Sequence, residues 1–82
     1  MKTIGILGGM SWASTALYYE RLNRQAQARL GGLHSAEILL RSVDFADIEA
    51  VQAAGDWDAA GARLNRAARE LEAGGAELLV LA

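Results

Sequence analysis

Cysteine and proline are both absent from the 82 residues of this chain. Without cysteine there is no disulfide, no thiolate zinc site and no thiol nucleophile within the sequence. Without proline there is no proline-rich linker. Histidine occurs once, as His34, and one imidazole cannot build a metal site alone. Lys2 is the only lysine, at the very start of the first strand, whereas a pyridoxal phosphate enzyme needs a lysine for its Schiff base. The formal net charge is −2, so no basic surface points to nucleic acid. No apolar run approaches the roughly 18 residues of a membrane span, and the N-terminus lacks a signal-peptide layout. The chain therefore reads as cytoplasmic, with neither a membrane nor a nucleic acid as partner.

What is present favours a folded core. Hydrophobic residues make up 52% of the chain, more than a disordered segment carries. The length suits one small domain, which buries roughly 60–65% of the surface its unfolded chain exposes. Residues 2–8, KTIGILG, read as a buried strand closed by glycines. From Ser11 to about Leu30 the pattern is helical, with Tyr18, Leu22, Ala26 and Leu30 on one face. Ser11 is the expected cap, its hydroxyl accepting from a first-turn N–H, and Gly31 and Gly32 stop the helix. A second strand covers 36–43, and a short helix runs from its cap Asp44 to about Ala53, with Asp47 and Glu49 near the positive end of its dipole. After Gly55 a further helix begins at its cap Asp56. It carries the stripe Ala60, Leu64, Ala67, Ala68 and Leu71, and ends at Gly74 and Gly75. Residues 77–82, ELLVLA, form a third apolar strand.

The order β-α-β-α-α-β predicts an α/β fold, a parallel sheet covered on both faces in the three-layer, flavodoxin-like manner. Right-handed crossovers place the strands in order 2-1-3. The chain stops at the end of a buried strand, where a natural domain seldom ends, so a fragment of a longer protein is expected.

With strand 1 central, the turn GGMSW lies where strand order reverses, beyond the carboxyl ends of the strands, which is where such sheets bind ligands. Gly8 and Gly9 let the backbone pass close to a ligand. The N–H groups from Met10 to Ser14 open a helix and favour an anion, whether carboxylate or phosphate. The alternative is a tight strand-to-helix turn with no ligand. A dinucleotide fits poorly: Gly5, Gly8 and Gly9 do not follow G-x-G-x-x-G, and the acidic residue due about 20 residues later is missing. A Walker A loop fails outright, for no Gly-Lys-Ser/Thr follows.

The stretches MKTIGILGGMSW-x-STALYY, RLGGLHSAEILLRSVDF, GDWD-x-AGARL and GGAELLVL together resemble the N-terminal half-domain of the aspartate/glutamate racemase family. The resemblance covers essentially the whole chain and is nearest to members that begin GGMSWEST. Ala13 departs from that subgroup, which commonly has glutamate there. The family's first catalytic group, a thiol or in some members a threonine, follows the strand that here ends at Ala82, so it is expected just after Ala82. The resemblance implies racemisation of aspartate, glutamate or a related amino acid without a cofactor, by two proton-transferring groups on opposite faces of the α-carbon. The second group belongs to a second, similar domain that this sequence lacks, so residues 1–82 are expected to form part of the N-terminal domain and to be inactive alone. A homodimer is implied as well.

Within this chain the expected substrate-binding residues are Gly9, Met10, Ser11 and Gln52. Ser11 or a neighbouring N–H is expected to hold a carboxylate, with helix capping as its other role. Met10 is expected to line the pocket or else plug the core. Gln52 is expected to reach the ligand's side chain or else to be a solvated helix residue. Trp12 and Trp57 read as core or interface packing residues, Tyr18 and Tyr19 as packing residues of the helix stripe, and His34 as a surface or subunit-contact residue away from the site. Arg63, Arg66 and Arg69 read as a solvated helix face near Glu70 and Glu72. Two rival functions stand beside the racemase: a nucleotide-dependent oxidoreductase and a non-catalytic carboxylate-binding module.

Overall fold

The computed structural model describes residues 1–82. Strand β1 is Ile4–Gly8, helix α1 Trp12–Leu30, strand β2 Ile38–Ser42, helix α2 Phe45–Ala53, helix α3 Trp57–Ala73 and strand β3 Leu78–Leu81. The three strands form one parallel sheet in the order β2-β1-β3. Ile4 of β1 lies level with Ile38 on one side and Leu78 on the other. Thr3 fastens the amino end, its carbonyl accepting from Glu77 N–H at 2.8 Å and its neighbour Ile4 donating to the Glu37 carbonyl at 2.9 Å. At the carboxyl end, Val43 N–H donates to the Gly8 carbonyl and Ala82 N–H to the Leu7 carbonyl, each at 2.9 Å.

Helices cover both faces. Alternation along β1 sends Gly5 and Leu7 toward α3 and Ile6 and Gly8 toward α1. Leu7, Ala67 and Leu71 form the buried cluster, with Leu39, Val43, Leu64, Ala68 and Ala76 packed around it. The α3 stripe thus faces the sheet as its spacing predicts. Gly5 allows the close approach: a Cβ there would stand 2.8 Å from the Ala76 Cβ and 2.9 Å from Leu79 Cδ2. Asp44 caps α2 by accepting from Ala46 N–H at 3.1 Å, and Asp56 caps α3 by accepting from Ala59 N–H at 3.0 Å.

The α1 stripe is less deeply buried than its periodicity predicts. Leu22 and Ala26 are half-buried and, with Met1, Ile4, Leu30 and Ala36, line an apolar groove of about 580 Å³. Tyr18 is 45% and Leu30 52% exposed. A helix of 19 residues is about 28 Å long, whereas a five-residue strand spans about 17 Å. The last turns of α1 therefore overhang the sheet. Within residues 1–82 the aromatic residues lie outside the core: Tyr19 is half-exposed, and Trp12 and Trp57 are 76% and 66% exposed. Each tryptophan sits at the first position of a helix, before the helix has passed over the sheet. His34 lies exposed in the loop before β2, and Arg41 and Arg66 both pair with Glu70, at 3.1 and 3.5 Å.

Leu71→Ala is expected to destabilise the protein by about 2–4 kcal/mol, because it hollows the α3–sheet contact. Trp12→Ala is expected to change stability by less than about 0.5 kcal/mol. Guanidinium denaturation midpoints of the two variants check the contrast.

Candidate functional site at the carboxyl edge of the sheet

The carboxyl ends of all three strands meet around residues 8–15. Gly9 has φ +99°, a conformation that side chains resist. A Cβ on Gly9 would overlap the Val43 carbonyl and approach Ser42 Oγ to 2.8 Å. A Cβ on Gly8 would run into the Thr15 side chain and approach the Ala82 carbonyl to 3.0 Å. The two glycines therefore let the turn pass between the end of β2 and the first turn of α1. This is close packing, and it sets where the following N–H groups stand.

Thr15, only 3% exposed, is the one buried residue of α1. Its Oγ1 accepts from Gly9 N–H at 3.1 Å and lies 3.1 Å from the Ser11 carbonyl and 3.2 Å from the Ala82 carbonyl. One hydroxyl thus ties the glycine turn, the start of α1 and the end of β3. The sequence reading passed over Thr15. Its signal was a small hydroxyl one turn after the expected cap, where a threonine can bond back to the carbonyl four residues earlier.

The expected capping by Ser11 is corrected. Ser11 occupies the N-cap position with extended backbone, but its side chain makes no cap hydrogen bond. Its carbonyl serves the helix instead, accepting from Thr15 N–H at 3.0 Å, and its exposed side chain is left free. The N–H groups of Met10, Ser11, Trp12, Ala13 and Ser14 find no acceptor in the chain. No acidic residue lies in the first turn of α1, whereas α2 has Asp47 and α3 has Asp58 there. The positive end of the α1 dipole is therefore uncompensated, which suits an anion of one or two oxygens.

Of the expected binding residues, the structure brings Gly9, Met10 and Ser11 together in this turn, Met10 half-buried and Ser11 exposed. Gln52 stands in the last turn of α2, which leaves the same sheet edge; it is half-buried, and no side-chain hydrogen bond joins it to the turn. No group of three or more histidine, cysteine, aspartate or glutamate side chains is placed to hold a metal ion. No helix is long and apolar enough to cross a membrane.

The family model described as Asp/Glu/Hydantoin racemase matches residues 7–82. The chain belongs to that family. A crystal structure of a candidate Asp/Glu racemase from Yersinia pestis superposes with a TM-score of 0.95 at 53% sequence identity. The match takes in 99% of this chain and 35% of the Yersinia one, so the present chain spans about a third of that protein's length. Family membership agrees with the parallel α/β architecture and does not favour the nucleotide-dependent alternative, for which Gly5 supplies helix packing rather than a phosphate loop.

Gly9→Ala is expected to cost more than about 2 kcal/mol, since it adds a φ penalty to an overlap with the Val43 backbone. Gly31→Ala, at φ +74° and ψ −177° but with no atom within 4 Å of the added Cβ, is expected to cost about 1–3 kcal/mol and less than Gly9→Ala. Thermal denaturation of the two variants separates the steric cost from the conformational one.

Proposed function

We propose that the complete protein is a cofactor-independent racemase that interconverts the L- and D-forms of aspartate, glutamate or a related amino acid. Residues 1–82 form the first part of its N-terminal α/β domain and supply one wall of the pocket. The observation that carries this reading is the row of unpartnered N–H groups from Met10 to Ser14, placed beside the end of β3 in a chain of this family.

The α-proton of an amino acid is weakly acidic while its carboxylate remains charged. When the proton leaves, negative charge spreads onto that carboxylate. Donors already aimed at the carboxylate bind the charge-rich transition state better than the ground state, and that difference lowers the barrier. In this arrangement the first turn of α1 holds the carboxylate, with the Ser11 hydroxyl adding a donor. Met10 lines the pocket and Gln52 reaches toward the ligand's side chain from α2. The protons move between the α-carbon and two groups on its opposite faces, each within about 3 Å and with a suitable pKa. One is a thiol or threonine directly after Ala82. The other is a thiol from a second α/β domain. Because the present segment holds no thiol, it is inactive by itself. The working enzyme in this reading is a cytoplasmic homodimer.

The complete protein, incubated with L- or D-aspartate and glutamate in D₂O without pyridoxal phosphate, is expected to replace the α-proton of at least one of them with deuterium, seen by proton NMR. Saturable binding without any exchange would instead establish a carboxylate-binding module and end the racemase reading. Ser11→Ala is expected to raise KM about fivefold through loss of one hydrogen bond to the ligand, while unfolding stability stays within about 0.5 kcal/mol of the parent because no cap bond is lost.

A further inference from the structure

The hydroxyl of Thr15 has one proton and faces two carbonyls. Ser11 O, at 3.1 Å, is a neighbour along the helix. Ala82 O, at 3.2 Å, lies on another strand, 67 residues away in sequence. The same oxygen accepts from the buried Gly9 N–H at 3.1 Å, which fixes one of its lone pairs. We infer that Thr15 is a positioning residue, holding the chain that leaves β3 in register with the first turn of α1. The inference rests on the racemase reading for its kinetic consequence, though not for its structural one.

The two sides of this junction depend on Thr15 unequally. The first turn of α1 is also held by Thr15 N–H on the Ser11 carbonyl at 3.0 Å, a backbone bond that survives any side-chain change. The helix end of this turn is therefore still fastened without the hydroxyl, whereas the buried Gly9 N–H loses its acceptor. Within residues 1–82, Ala82 is tied by its own N–H on the Leu7 carbonyl at 2.9 Å, and its carbonyl lies 3.2 Å from the Thr15 hydroxyl. Removal of the hydroxyl takes away the link between the end of β3 and α1. Substrate binding and proton transfer should consequently respond differently, because a displacement of about 1 Å at a reacting group costs up to about 100-fold in rate.

Thr15→Val keeps the shape of the side chain and removes both hydrogen-bonding functions, while Thr15→Ser keeps the hydroxyl. In the complete protein, Thr15→Val is expected to lower kcat for α-proton exchange about 10- to 100-fold, a larger change than the one in KM. Thr15→Ser is expected to restore kcat to within about threefold. A Thr15→Val enzyme with parental kcat, or a Thr15→Ser enzyme impaired as much as Thr15→Val, would overturn the inference. Crystal structures of the complete parent and Thr15→Val proteins supply a readout independent of activity: the path after Ala82 is expected to shift relative to Gly9, and an unchanged path would equally overturn the inference. Should the parent show no exchange with any amino acid, the racemase reading falls and the crystallographic comparison alone decides the role of Thr15.

Discussion

The central strand is hydrogen-bonded along both edges, and that constraint governs everything built on the sheet. Because β1 pairs in parallel with β2 and β3 from Ile4 onward, its neighbours cannot slide independently. All three chains reach the carboxyl edge together, Val43 N–H meeting the Gly8 carbonyl and Ala82 N–H the Leu7 carbonyl. A parallel arrangement also needs crossover helices, so each strand end at that edge passes into or beside a helix start. The site follows from pairing and connectivity before any particular side chain is considered.

Small residues then set the distances. Gly5 brings α3 onto one face of β1, Gly8 brings Thr15 onto the other, and Gly9 presses against the backbone of Val43 and the hydroxyl of Ser42. The three glycines thus have three steric duties, and none of them needs a ligand. Their arrangement also places the proposed binding site, because the turn they compress is the one from which the free N–H groups emerge. Packing and recognition are successive consequences of the same missing side chains.

The strands, the helices and the order 2-1-3 were legible because each rests on a local pattern: apolar runs closed by glycine, a stripe every three or four residues, and aspartates at helix starts. Asp44 and Asp56 cap as their positions predict. Ser11 occupies the same kind of position and does not, and the reason is tertiary. Two residues earlier Gly9 is pressed against Val43, and the helix start is tied by a hydroxyl one turn further in. Thr15 escaped notice because its partners, Gly9 and Ala82, are joined by the fold rather than by spacing. The overhang of α1 was equally invisible, since periodicity reports which face is apolar and not whether a strand lies beneath it. The positions of Gly9, Met10 and Ser11 in one turn, and of Gln52 on the helix leaving the same sheet edge, were legible from the order of the elements.

The three helix starts divide along electrostatic lines. In α2 and α3 an aspartate accepts from the exposed N–H groups and a second carboxylate sits in the first turn, so the positive end of each dipole is neutralised within the chain. In α1 both features are missing, and Ala13 occupies a position where an acidic side chain would have supplied one. Leaving N–H groups uncapped costs stability, typically about 1 kcal/mol for a cap alone. That cost falls on the one helix that starts from the central strand, at the place where strand order reverses. Water can satisfy such groups only loosely, while a carboxylate can satisfy several at once with charge-assisted bonds. In the proposed racemase the stability forgone in the free protein is available for holding the substrate carboxylate, and it is best recovered when that group gains charge.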